Sequence, residues 1–302
     1  MSKLGSIVDS NVHLWDNGRN PVFWLADRSL VRDLLGDYDS LPDVYTLADY
    51  EQETRSHDVR GIVWSDAGAA DPVGAAEWVW QQNEGRGLVR GMVSLGDPAA
   101  QGFTDLVDRL RRIPLVSSVR VRLASDLIPD PDGPAVESDV PFLDRPVVRE
   151  QLQALARHDL VATIEATGDQ LAQVTRLADD LPHLRIVVDH FGWPTDLSDG
   201  GRELHLERLS ELAARSNVAT RLDALGSIFG SWDTDQLRTW LLPVVERFGP
   251  DRCMLGSDLP IERLRSTFEN LYRAYDEVFS GYGDHERQQL AGGTAESWYS
   301  AG

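Results

Sequence analysis

Cysteine is almost absent: Cys253 is the single one in 302 residues. One thiol cannot build an internal disulfide framework, so the core must hold the fold, and the expected compartment is the reducing cytoplasm. Basic charge is also short, with 29 Lys plus Arg against 49 Asp plus Glu and a formal net charge of −20. Nucleic acid and anionic membrane both require a basic face, so neither is an expected partner. A small anionic substrate remains compatible, because a few buried arginines reverse the potential locally. No apolar run approaches the roughly 18 residues of a membrane span, and no basic-then-apolar leader opens the sequence. Internal repeats and low-complexity tracts are missing too. The expectation is a cytoplasmic globular protein that acts on a small molecule, with homo-oligomerisation left open.

What is present is alternation. Strand-like segments at 7–13, 59–65, 88–95, 116–123, 160–165, 184–190, 217–223 and 252–258 are separated by helix-like segments. Thr46 followed by Asp49 reads as a capping box for the first of these helices, and Pro146 and Pro260 occupy favoured first-turn positions. Pro260 is expected to open a helix that runs to about Phe279. Strands alternating with helices predict parallel βαβ units. At this length the natural closure is an α/β fold of the (β/α)8 TIM-barrel type, one domain over 1–302. A doubly wound open sheet is the alternative, but no Gly-rich phosphate loop follows an early strand. Two long connections, 17–42 and 124–144, are too long for ordinary turns and are expected over the mouth of the barrel.

In such a barrel, polar residues at the C-terminal strand ends converge on one mouth. The opening stretch I-V-D-S-N-V-H-L-W-D at 7–16 supplies Asn11 and His13. Strand alternation predicts that Asp9 shares their face. Arg120 and Arg122 come from the fourth strand, Glu165 from the fifth, His190 from the sixth, Arg221 and Asp223 from the seventh and Asp258 from the eighth. Trp15, Trp24 and Trp193 fall on loops near the mouth and could wall a cavity. Plainer readings stand beside these. Asp258 could accept only backbone N–H bonds, His190 could be a core histidine beside Asp189, and the arginines could form an internal ion-pair layer with Glu165 and Asp223. His183, His205 and His285 read as surface residues, and Cys253 as a small buried apolar side chain.

Three separated motifs carry a resemblance: V-D-S-N-V-H-L-W-D at 8–16, V-D-H-F-G-W-P at 188–194 and M-L-G-S-D-L-P at 254–260. With the tract N-P-V-F-W-L at 20–25, the chain resembles the amidohydrolase-related branch of the metal-dependent hydrolase superfamily. That branch includes sugar-acid lactonases and a pyrone-dicarboxylate lactonase. The resemblance implies the same barrel and a hydrolytic activity. Its usual first motif is His-x-His, where this chain has Asn11-x-His13. Glu165 replaces the His that many members carry after the fifth strand, and no Lys closes the fourth strand to bridge two metals. A two-metal centre is therefore not expected, and no cofactor is the leading expectation. The alternative is one divalent ion, Zn or Mn, on His13, His190 and Asp258.

The leading expectation is hydrolysis of a lactone or cyclic amide that bears a carboxylate. Asp258 would activate water, while His13 and His190, with the Asn11 amide, would polarise the carbonyl. Arg120, Arg122 and Arg221 would hold the carboxylate, with Glu165 and Asp223 as their partners or as substrate contacts. A metal-dependent decarboxylase or amidohydrolase on the same fold, and a non-catalytic binding homologue, are the competing readings.

Overall fold

Eight short apolar runs pair side by side in chain order, and every pair is parallel. In the computed structural model, which describes residues 4–123 and 140–300, the strands are β1 Ile7–Val12, β2 Val59–Ser65, β3 Val89–Leu95, β4 Val116–Arg122, β5 Val161–Glu165, β6 Ile186–Val188, β7 Val218–Leu222 and β8 Cys253–Leu255. The sheet closes on itself just past β8. Val12 bridges Leu259 in parallel. His13 N–H donates to the Leu259 carbonyl at 2.8 Å, and Asp258 N–H donates to the Asn11 carbonyl at 2.9 Å. The chain is a (β/α)8 barrel.

Helices α1 Leu47–Thr54, α2 Pro72–Asn83, α3 Phe103–Leu110, α4 Pro146–Arg157, α5 Leu171–Asp180, α6 Asp199–Ala213, α7 Thr234–Phe248 and α8 Phe268–Val278 follow the strands. Local chemistry sets their starts. Thr46 and Asp49 form the reciprocal capping box of α1, and proline occupies the first turn of α2 and α4. Their apolar stripes, such as Phe103, Val107 and Leu110 of α3, pack on the outward strand residues Ile62, Trp64, Val119 and Ile164.

Inside the barrel the residues change in character from bottom to top. Val8, Val63, Val93, Val161, Val187, Ala219 and Met254 form an apolar floor, plugged by Ala295, Trp298 and Tyr299 of the C-terminal helix Thr294–Tyr299. Above it, Thr163 Oγ1 bonds Ser118 Oγ at 2.7 Å and the Tyr299 hydroxyl at 3.1 Å. Higher still the inward positions are charged. A dry floor beneath a charged layer directs reactivity to the C-terminal mouth.

Four expectations need correction. β1 does not keep strict alternation. Asp9 pairs with Ile62 and Val12 with Trp64, three residues against two, so a β-bulge at Ser10–Asn11 reverses the faces. Asn11 and His13 turn inward while Asp9 points outward to Tyr50 of α1. The sixth strand ends at Val188 rather than 190, because His190, Phe191, Gly192 and Trp193 all have positive φ. Pro260 does not open a long helix. A short 3-10 turn, Ile261–Leu264, comes first, and α8 begins only where Thr267 Oγ1 accepts from Asn270 N–H. The connection 17–42, read as a long loop, contains the helical turns Phe23–Ala26 and Arg32–Leu35. Of the connection 124–144, residues 124–139 lie outside the described residues. No described helix is long and apolar enough to cross a membrane.

Candidate active site

The bulge in β1 and the end of β8 meet at one carboxylate. Asp258 Oδ1 accepts from Asn11 Nδ2 at 3.1 Å and lies 3.0 Å from His13 Nε2. The other ring nitrogen of His13 lies 2.7 Å from the Ser65 carbonyl. A carbonyl can only accept, so Nδ1 carries a proton. Nε2 points at Asp258 Oδ1 within hydrogen-bond distance. Asp258 Oδ2 has no hydrogen-bond partner among the described residues, and Asp258 lines the cavity at the mouth. One oxygen is thus held from two sides and the other is open. Asp258 itself has a left-handed backbone, φ 59°.

A buried layer of arginines and acids lies beside this group. Arg120 Nε donates to Asp189 Oδ2 at 2.8 Å, and its Nη2 lies 3.3 Å from Glu165. Arg122 and Glu165 are direct neighbours across β4 and β5, and Arg122 Nε donates to Glu165 Oε2 at 3.0 Å. The Arg122 guanidinium also lies over the Phe23 ring, 5.6 Å from its centroid. Burial alone would raise the Glu165 and Asp189 carboxyls; neighbouring arginines outweigh it and hold both below the ordinary range. Arg221 is fully buried. It donates to Asp189, to Ser65 Oγ at 2.7 Å, to the Ser10 carbonyl at 3.0 Å and to Asn11 Oδ1 at 3.2 Å.

His190 is presented by the left-handed turn after β6. Its Nδ1 lies 2.6 Å from Asp223 Oδ1, and its Nε2 lies 3.3 Å from Arg120 Nη2. Burial disfavours the imidazolium, but the charge and hydrogen bond of Asp223, with Asp189 and Asp258 behind, outweigh that and raise the His190 pKa above 6.5. The turn is fixed from outside the barrel by His205 of α6, whose Nε2 donates to the Phe191 carbonyl at 2.9 Å. His205 is therefore not a surface residue. Burial pushes its pKa down to about 4, so it stays neutral and remains a donor. Gly256, after β8, is required by close approach: a Cβ there would lie 2.9 Å from Ser10 Oγ and 3.0 Å from Asp223 Oδ2.

The cavity, about 470 Å³ with open solvent included, has two kinds of wall. His13, Arg120, Arg122, Glu165, His190 and Asp258 make the polar wall, and Trp24, Trp193, Val31, Leu34, Leu35 and Ile261 the apolar one. Four expected contacts fall elsewhere. Arg221, Asp223 and Asn11 are fully buried beneath the cavity, every polar end of Arg221 and Asn11 being engaged by protein. Trp15 lies on the far side of Trp24, edge to face at 5.8 Å, with its indole N–H on the Pro42 carbonyl. Nor is His13 Nε2 free to polarise a carbonyl, since it faces Asp258. Sequence reasoning missed the hub Asp189, the brace His205 and the apolar roof from 31–35. Asp189 was within reach: Val187 faces inward, and strand alternation carries that face to 189. Buried Glu262, which accepts from Gly226 N–H and Trp232 Nε1, carried no signal at all.

The donors that a resident metal ion would need already face other side chains. Zinc binds to about four N, S or O donors. Here His13 Nε2 and Asp258 Oδ1 face each other, Asn11 Oδ1 faces the Arg221 guanidinium, and His190 Nε2 faces that of Arg120. Among the described residues no group of three His, Cys, Asp or Glu side chains is placed to hold one.

Comparison with known proteins agrees with this architecture. An uncharacterized protein, y4mH, of Sinorhizobium fredii is 25% identical over 297 residues, 97% of this chain and 98% of that protein. The L-fucono-1,5-lactonase of Burkholderia ambifaria is 33% identical over 132 residues, 43% of this chain and 45% of that enzyme. The crystal structure of an amidohydrolase from Burkholderia multivorans with bound zinc shares the fold, with a TM-score of 0.80 at 18% identity over 98% of this chain and 99% of that one. Residues 8–300 match the profile of the amidohydrolase family, Amidohydro_2, and the chain belongs to that family.

Proposed function

We propose that the chain hydrolyses the ring ester, or ring amide, of a small molecule bearing a carboxylate, with Asp258 as general base and no metal ion. The observation that carries this reading is the asymmetry of Asp258. Its Oδ1 is held by Asn11 and His13, while Oδ2 is free in a cavity that also contains His190 and two arginines. A carboxylate so held can accept a proton from water without turning away.

The steps follow from the positions. Water on Oδ2 gives its proton to Asp258 as its oxygen attacks the ring carbonyl. The oxyanion forms between His190 Nε2–H and Arg120 Nη2, which lie 3.3 Å apart and, with the ring protonated, are two donors that share the oxygen in place of the bond a neutral ring would accept from the guanidinium. The imidazolium of His190, favoured by Asp223, is the donor form. One such donor is worth about 3–4 kcal/mol in the transition state. Collapse of the tetrahedral intermediate breaks the bond to the ring oxygen or nitrogen, and Asp258 returns the proton to that leaving group. Arg122 faces the substrate carboxylate, its Nε already on Glu165 and its terminal nitrogens without partners among the described residues. Trp24, Leu34 and Leu35 cover the ring and exclude bulk water. The partial likeness to a fuconolactonase supports the lactone reading.

The test is a panel of carboxylate-bearing lactones and cyclic imides, with products identified by mass. Ring opening by addition of water is the expected result. Release of carbon dioxide instead, or tight binding with no product across the panel, would refute the proposal.

A further inference from the structure

Asp9 is the buried acid of the opening motif, and the reaction does not use it. It is fully buried and faces away from the cavity. Its Oδ1 accepts from Ser257 N–H at 2.7 Å and from Asn11 N–H at 3.3 Å, and its Oδ2 accepts from the Tyr50 hydroxyl at 2.9 Å. Those two backbone donors flank the barrel seam. Ser257 immediately precedes Asp258, and Asn11 is the bulged residue whose amide holds Asp258 Oδ1. Among the described residues two further backbone bonds join the seam above, Asp258 N–H to the Asn11 carbonyl and His13 N–H to the Leu259 carbonyl.

We propose that Asp9 is a positioning residue: from behind the barrel wall its carboxyl locks the β1 bulge to the segment carrying Asp258, and so keeps Asp258 Oδ1 on Asn11 and His13. The bulge explains why an acid is found there. Reversing the strand faces frees the N–H of Asn11 from the ladder, and the left-handed backbone of Asp258, φ 59°, is a disfavoured conformation that its surroundings must hold. One outward acceptor satisfies both neighbouring donors, and Tyr50 of α1 fixes its direction. His205 plays a parallel part for His190 at the opposite side of the mouth, through a single bond.

The inference about turnover rests on the reading of Asp258 as the base, so the experiment has two independent readouts. The first is the ¹⁵N signal of His13 Nε2 in the ligand-free protein, which reports its bond to Asp258 whether or not any substrate is known. The second is kcat and KM on the lactone turned over fastest in the panel. In Asp9→Ala, the His13 signal is expected to move to that of a ring without a carboxylate partner. Its kcat is expected to fall about 100-fold, the usual penalty for a reacting group misplaced by an ångström, with KM within threefold. Asp9→Asn keeps an acceptor for Ser257 and Asn11, and should retain the signal and at least a fifth of kcat. If Asp9→Ala does not fold, Tyr50→Phe replaces it, with about a tenfold lower kcat expected. An unmoved His13 signal in folded Asp9→Ala would overturn the proposal, as would loss of the signal in folded Asp9→Asn or unchanged kcat in Tyr50→Phe. A moved signal without loss of kcat would instead retain the positioning role and remove Asp258 as base.

Discussion

Replacing Asp223 with Asn tests the electrostatic half of the site while leaving its shape. The new amide oxygen can still accept from His190 Nδ1–H, so the ring keeps its orientation. The second oxygen of Asp223 lies 3.9 Å from Arg221 Nε, outside hydrogen-bond reach, so an amide nitrogen there breaks no bond. What is lost is the charge. A bond to a charged group is worth about 1.5–3 kcal/mol and a neutral one about 0.5–1.5, and a difference near 1.4 kcal/mol is about tenfold in the protonation equilibrium. His190 is a group whose folded pKa is raised, because Asp223 outweighs burial. Its imidazolium is therefore fully formed below 6.5 and disappears as pH rises through the raised value. If that imidazolium holds the oxyanion, activity has an alkaline limb set by it. In Asp223→Asn the limb should move about one pH unit lower, while the rate on the acidic side of the limb stays within a few-fold. The assay is kcat against pH for both proteins on the same lactone. An alkaline limb at the same pH in both would refute the role given to His190. So would a loss of rate equal at every pH.

Other outcomes follow from the arginines. In Arg122→Met the guanidinium is lost from the cavity wall, and KM for a carboxylate-bearing lactone should rise about 10- to 100-fold, the worth of a charge-assisted pair. A neutral lactone of the same ring should be affected by less than threefold, and steady-state kinetics on the two substrates checks both. Arg221→Met should behave differently, because Arg221 is buried and holds Asp189 rather than substrate. It leaves Asp189 with Arg120 alone and should lower unfolding free energy by about 3–5 kcal/mol, measured by denaturant titration. A stable Arg221→Met protein with raised KM would reverse these assignments.

The barrel was legible in the sequence because its signal is periodic and local. Apolar runs of five to seven residues recur between amphipathic segments, and the start signals at Thr46 and Pro146 mark real helix starts. Charged residues at the ends of β4, β5 and β7 also followed simple alternation into the barrel. Backbone irregularity caused the errors. The bulge in β1 reversed Asp9, and the left-handed turn after β6 brought Asp189 and His190 into one space although alternation allows only one of them. Neither feature has a strong sequence signature, since no glycine marks the bulge and only Gly192 marks the turn. Which arginine reaches substrate was likewise not a sequence property. Arg120, Arg122 and Arg221 carry the same charge on neighbouring strands, and only the depth of each in the barrel separates the buried Arg221 from the two that line the cavity. His205 read as surface because the chain shows no reason for a helix histidine to face inward until the Phe191 carbonyl appears above it.

The account turns on Asp258 acting as a base without a metal ion. The most direct measurement is hydrolysis of one carboxylate-bearing lactone by wild type and Asp258→Asn, both freed of metal by chelation and assayed for residual zinc and manganese. The substituted amide keeps an acceptor for Asn11 and His13 but places a donor where Oδ2 was. Wild type should retain its rate with metal well below one ion per chain, and the variant should be about 10²- to 10⁴-fold slower. A wild-type rate that vanishes on chelation and returns with stoichiometric zinc would contradict the account, as would an Asp258→Asn rate within tenfold of wild type.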